Sequence, residues 1–378
     1  MRIAIQTPNF LFGDALRSFT GYELEFARRH ASVLYLPNWR WALTRGKGYK
    51  QLMRRHGFEP EAFQFAFTAG DLNQKADVLV NFNYLPHALE NVPPRRFHGL
   101  KVWHTMDFVF NAPKANKALE AGGVDAVMGY CNHGRHSDFF RAYYPRYSER
   151  VIPVPFGFAR RFEYGTSLEQ RIPKVVALGS VNPLDEKGIP KEADVEAYVS
   201  FYSGAKWTHQ WRRMLVEHCE EVSALVDSRL PHWPETKNPA YDAVAMLARY
   251  ALFANDEGLM AFPPARTYEG IAAGCVMVAN KHACFGDFGF RDGVNCILHE
   301  RLSIEHFKEK VAYYLNYPGK LAEIAKAGTE FVRERYSHPV VAQGLSERLQ
   351  SLISGRASDA FRDWAADTAA SPTTDQTV

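Results

Sequence analysis

Short apolar runs recur along the chain, each followed by a longer stretch in which apolar residues return every three or four positions. In the first half the runs are RIAIQT (2–7), ASVLYL (31–36), ADVLVNF (76–82), LKVWHT (100–105), DAVMGY (125–130) and RVIPVP (150–155). Runs of this length, rich in Val, Ile and aromatic residues, predict buried strands, and the periodic stretches 14–29, 47–56, 113–121 and 133–143 predict helices. A second series follows FGFARRFEYGTSLEQRIP (156–173), with strands at 174–179, 222–226, 251–255, 275–280 and 296–299. Its helices are expected near 207–220, 240–250, 265–273, 303–316, 318–335 and 338–354. Alternation of strand and helix predicts an α/β chain with mostly parallel sheets, and two such series in 378 residues predict two Rossmann-like lobes facing a cleft. The lobes are expected at 1–157 and 158–354, followed by a polar, partly disordered tail over 355–378. Ligands of open α/β sheets bind at the carboxyl ends of the strands, so the cleft is where chemistry is expected.

Composition narrows the setting. Apolar residues make up 46% and charged residues 23%, as in ordinary globular chains. No apolar run reaches the roughly 18–20 residues of a membrane span, and the opening MRIAIQTPNF reads as a strand rather than a signal peptide. Five scattered cysteines, never at Cys-x2-Cys spacing, predict reduced thiols rather than a disulfide framework or structural zinc. A cytoplasmic protein is therefore expected. Its net charge of +3 is unevenly spread: residues 1–160 carry 21 Lys and Arg against 13 Asp and Glu. Within that half, 38–58 has no acidic residue and mixes Trp39, Trp41 and Tyr49 with Arg40, Arg45, Lys47, Lys50, Arg54 and Arg55. Such a stretch serves either as a solvated face or as a peripheral contact with an anionic membrane, here its inner face, or with an acceptor. No nucleic-acid-binding motif accompanies it, so nucleic acid is not expected as a partner.

Several chemistries are excluded by missing motifs. There is no P-loop, no G-x-G-x-x-G after the first strand, and no G-x-S-x-G elbow. No Asp-x-Asp follows a strand and no H-E-x-x-H occurs, so no metal site is expected; the close pair in HGRHS (133–137) reads as a helix face. What remains is an anion site built from backbone N–H groups, Arg or Lys, and a carboxylate. FPPARTYEGIAAGCVMVAN (262–280) supplies one: loop, helix and strand in succession, with Arg266 and Glu269 in the opening turns of the helix. Glu269 has two readings, a partner of the helix dipole or an acceptor for both hydroxyls of a nucleotide ribose.

RTYEGIAAGCVMVAN, GDFGFRDGVNCILHE (286–300) and the helical run up to HPVVAQGL resemble the carboxyl-terminal lobe of GT-B glycosyltransferases. The pattern is closest to the family 4-like and spore-protein-like branches. The resemblance implies a nucleotide diphosphate sugar as donor substrate, no further cofactor, and a glycan or lipid-linked acceptor. It puts Glu269 on the ribose with Arg266, Thr267 and Tyr268 beside it, and Gly179 and Ser180 at the end of the first strand of the second lobe. A base should reach the diphosphate, and Lys187, Arg212 and Arg213 compete for that role, because the arginine expected just after Gly179 is missing. The Glu-x7-Glu of retaining members is also absent: Ala261 stands eight residues before Glu269, and the nearest upstream acids are Asp256 and Glu257.

In the first lobe, VWHTMDF (102–108) ends a strand on the cleft side with His104 and Asp107. Either serves as the base that takes the acceptor proton, or as a packed ring and a turn cap. NFLFGD (9–14) offers Gly13 for close approach of backbone to donor or acceptor, with Asp14 beside it. The expected activity is metal-independent hexosyl transfer from a nucleotide sugar, as in polysaccharide biosynthesis. Its rivals are a sugar-nucleotide epimerase of the same fold and a catalytically silent nucleotide- or glycan-binding protein.

Overall fold

The computed structural model describes residues 1–8, 18–37, 48–82, 94–105, 107–163, 165–179, 181, 194–202, 208–229 and 242–365. Of the expected site residues, Gly13, Asp14, Ser180 and Lys187 lie outside this set, as do residues 38–47 of the basic stretch.

Among the described residues the first lobe carries seven strands: β1 (Ile3–Gln6), β2 (Ala31–Tyr35), β3 (Gln64–Ala66), β4 (Val78–Asn81), β5 (Leu100–His104), β6 (Ala126–Gly129) and β7 (Val151–Pro153). They pair in parallel in the order β3-β2-β1-β4-β5-β6-β7. The second lobe holds β8 (Ile172–Leu178), β9 (Val226–Arg229), β10 (Tyr250–Asn255), β11 (Val276–Asn280) and β12 (Ile297–His299), also parallel, in the order β12-β11-β10-β8-β9. Strands of an α/β sheet are covered on both faces, so they read as continuous apolar runs; β4, β6, β10 and β11 are buried at every position. Each sheet reverses its order once, between β1 and β4 and between β8 and β10, and crevices at such points receive ligands.

The elements depart from expectation in small, explicable ways. β3 has three residues at a sheet edge, too few to leave a periodic signal. The expected strand 222–226 forms later, at Val226–Arg229, because Cys219–Val222 closes a helical turn first. The helix expected over 133–143 is broken at Ser137, whose hydroxyl accepts from the Phe140 amide (3.2 Å) and starts a second helix.

Two segments cross between the lobes side by side: the Phe158 amide donates to the Tyr336 carbonyl (3.0 Å), and the His338 amide donates to the Phe158 carbonyl (3.1 Å). The helix His338–Ile353, expected with the second lobe, packs on the first-lobe helix Ser18–His30. Gly21 makes that approach feasible, since a Cβ there would stand 2.1 Å from the His338 ring. Part of the tail is folded too: Arg348 donates to the Ala360 and Arg362 carbonyls (3.0 Å each) and lies over the Trp364 ring.

Candidate active site

At the switch point of the second sheet, β8 runs out at Gly179, whose φ of +113° suits glycine alone. A Cβ there would stand 2.7 Å from a terminal nitrogen of Arg212. The glycine thus leaves room for the Arg212 guanidinium over the strand end. Arg212 comes from the helix Gln210–Glu217, and its Nε lies 3.3 Å from Asp256, the first residue after β10. His209 Nδ1–H donates to the same carboxylate oxygen at 3.0 Å. Burial alone would raise the Asp256 carboxyl, but His209 and Arg212 overcome it and hold the group below the usual carboxylate range. Asp256 is therefore ionised, and it fixes a cation at the end of β8. Arg213, the competing base, points along its own helix to Glu217 (2.7 Å).

Glu257 is also buried. It accepts from Arg301 Nε (2.8 Å) and from Asn280 Nδ2 at the end of β11 (3.2 Å). Burial pushes its carboxyl above the ordinary value despite Arg301. Two adjacent carboxylates at one strand end are thus held by different partners and differ in proton affinity. His209, Asn280 and Arg301 were not picked out from the sequence. The available signal was the polar residues closing apolar runs: Asn255 at the end of β10 with Asp256 and Glu257 after it, and Asn280 at the end of β11.

From Gly258 the chain turns back toward the first lobe, where Cys131 Sγ donates to the Ala261 carbonyl (3.2 Å) and Phe262 packs against Tyr130 and Phe156. The helix Ala265–Ala272 then begins after Pro264, with no side-chain cap and no acid in its first turn. Its Thr267 N–H donates back to the Pro264 carbonyl (2.9 Å), and an uncapped start of this kind favours an anion at the N–H groups ahead of it. Neighbouring residues on this helix diverge: Thr267 Oγ1 accepts from Asn255 Nδ2 inside the lobe (2.7 Å), and Tyr268 is fully buried against Phe288, Phe290 and Tyr336. These two of the expected nucleotide-side residues are part of the lobe's interior. Glu269 is buried, at 4% exposure. Arg266 is half-buried, and its Nη1 is enclosed with no hydrogen-bond partner among the described residues.

In the first lobe the two base candidates separate. His104 is 1% exposed, its ring against Tyr22 and Tyr130, with no hydrogen-bond partner for either nitrogen among the described residues. Burial pushes its pKa down to about 3. A base must be reachable and must hold a proton near the working pH, so this placement speaks against His104 and for the packed ring. Asp107 is half-buried on the turn after β5, with φ +46°. Thr7, at the end of β1, has φ +44°. Strained non-glycine backbone thus follows both strands at the edge of the cleft.

The buried imidazole has a consequence for stability. The His104 ring titrates near 6.5 when unfolded and near 3 when folded, so between these values the unfolded chain binds the extra proton. Stability is then present above about pH 6.5 and falls on acidification, by up to about 1.4 kcal/mol per pH unit for each such ring. His282 and His299, each pushed down to about 4 chiefly by burial, add to the slope. Replacing His104 by Phe should flatten the fall in melting temperature between about pH 7 and 5. A slope unchanged from the native protein would show that other groups carry it.

Residues 206–346 match the family model described as glycosyl transferase-like. No curated protein sequence matches the chain. Among solved structures the chain is similar to Anabaena HepE in complex with UDP and glucose, with 15% identity and a TM-score of 0.52 over 93% of this chain and 100% of that one. A glycosyltransferase from Rickettsia africae is similar at 11% identity and a TM-score of 0.51, over 93% and 98% of the two chains. The two-lobed architecture is the GT-B fold. The glycosyl transferase-like segment covers most of the second lobe of that fold.

Proposed function

We propose that the chain moves a sugar from a nucleotide diphosphate sugar onto a hydroxyl of a glycan or lipid-linked acceptor. The observation that carries this reading is the enclosed Nη1 of Arg266, without a hydrogen-bond partner among the described residues, one turn from buried Glu269 on a helix with no side-chain cap. A guanidinium nitrogen shut away from water is costly to leave unpaired, and a phosphate oxygen satisfies it. In this reading Arg266 and Arg212 hold the diphosphate and Glu269 holds the ribose. Positive charge from two arginines and a helix terminus then stabilises the leaving diphosphate without a metal. The acceptor oxygen bonds to the anomeric carbon as the bond from that carbon to the diphosphate breaks, and the acceptor proton passes to Asp107.

Release of nucleoside diphosphate from a panel of donor sugars, with and without acceptor, tests the reading. UDP-sugars come first in the panel, since HepE is seen with UDP. Acceptor-stimulated release supports transfer; conversion of the donor without release would indicate an epimerase, and neither would leave a binding protein. Arg266→Ser should weaken nucleoside diphosphate binding about tenfold or more.

The basic stretch 38–58 is proposed as a peripheral contact with an anionic membrane. No helix among the described residues is long and apolar enough to cross one. In the helix Gly48–Arg55, Lys50 and Arg54 share Glu61, an exposed pairing of little strength that a lipid phosphate can displace. Replacing Arg45, Lys47, Arg54 and Arg55 by Ser should abolish salt-sensitive capture by phosphatidylglycerol vesicles, because exposed charges are screened within about 10 Å at 0.1 M salt. Capture that survives the four changes rejects the contact.

A further inference from the structure

Away from the cleft, where the two crossings between the lobes meet, a groove of about 680 Å³ opens between the helix Ser18–His30 and the turn Arg160–Phe162. Its charged lining is four arginines, Arg28, Arg29, Arg160 and Arg161, against two carboxylates, Glu25 and Glu163. Glu25 is shared by Arg28 and Arg29, so one carboxylate answers two guanidiniums. Arg160 and Arg161 meet no carboxylate among the described residues; Arg161 lies over the Phe162 ring, 5.2 Å from its centre. Two features of this lining are fixed, one guanidinium and the backbone of the turn. Arg28 donates to the His56 carbonyl (3.0 Å), and the turn bearing Arg160 and Arg161 is pinned by buried Phe162 and by the hydrogen bonds of Phe158 to Tyr336 and His338.

We propose that this groove is a binding site for a phosphate-bearing ligand, separate from the nucleotide cleft. Four guanidiniums gathered against two carboxylates match the charge of a phosphate group, and each can meet it with a forked pair of donors. Soluble phosphates and the headgroups of anionic lipids share that chemistry. The site is independent of the donor reading, since none of its residues belongs to the cleft.

The test uses the full chain with two probes: inorganic tripolyphosphate followed by calorimetry at low salt, and phosphatidylcholine vesicles with and without phosphatidylglycerol. Arg160→Ser combined with Arg161→Ser should weaken binding of the effective probe about tenfold or more and leave nucleoside diphosphate affinity within about twofold. Glu25→Gln should tighten it, because the carboxylate that neutralises Arg28 and Arg29 is gone. Arginine-dependent binding of tripolyphosphate identifies a soluble phosphate ligand, and arginine-dependent capture by the anionic vesicles alone identifies a lipid headgroup. Failure of both probes, or binding that ignores Arg160 and Arg161, overturns the proposal.

Discussion

Asp107→Asn is expected to lower turnover by roughly 10²–10⁴ while leaving donor affinity intact, the signature of a group that acts on the proton in the transition state. The expectation rests on position and on elimination. Asp107 follows β5 at the carboxyl end of the first sheet, half-buried, in left-handed backbone. Its neighbour His104 is sealed in the core with a pKa near 3 and accepts no proton at neutral pH. Asparagine is the informative replacement, because Asn and Asp tolerate left-handed backbone where alanine adds strain. Measured kcat within about twofold of native, with unchanged melting temperature, would reduce Asp107 to a turn residue. If it is the base, His104→Phe should keep much of the activity that Asp107→Asn loses.

The strands were legible in the sequence because a parallel sheet covered on both faces demands continuous apolar runs; β10 and β11 announce themselves as YALFAN and VMVAN. The site was legible only in part. Successive helical residues point about 100° apart, so the motif Arg266-Thr267-Tyr268-Glu269 cannot send all four side chains to one ligand. Tyr268 shares the inward face with Ile271 and Ala272, a spacing that reads as core once the helix is known. His104 shows a different limit: the last inward residue of a strand and the first residue of a cleft are adjacent in sequence, and packing alone separates them. The pairing of Arg212 with Asp256 needs the sheet order, which sets β8 against β10 although β9 lies between them in the chain. No periodicity reports that adjacency.

Glu269→Ala is expected to weaken nucleoside diphosphate binding by at least about tenfold, since each charge-assisted hydrogen bond to a ribose hydroxyl contributes roughly 1.5–3 kcal/mol. Glu269→Gln keeps the size and one acceptor and should be milder. A residue that served only the helix would behave differently, because an exposed partner of the helix dipole contributes about 0.3–1 kcal/mol of stability and nothing to affinity. Glu269 is buried at the start of a helix that lacks any other acid in its first turns, so its removal alone does not separate the two roles. The nucleotide can be changed instead of the protein. In the native chain the 2′-deoxy nucleoside diphosphate should bind more weakly than the ribonucleotide, because one hydroxyl no longer donates to the carboxylate. In Glu269→Ala that difference should nearly vanish, as the partner on the protein side is already gone. Calorimetry on the four combinations gives the coupling directly, and an equal deoxy penalty in both proteins would place the ribose on some other residue.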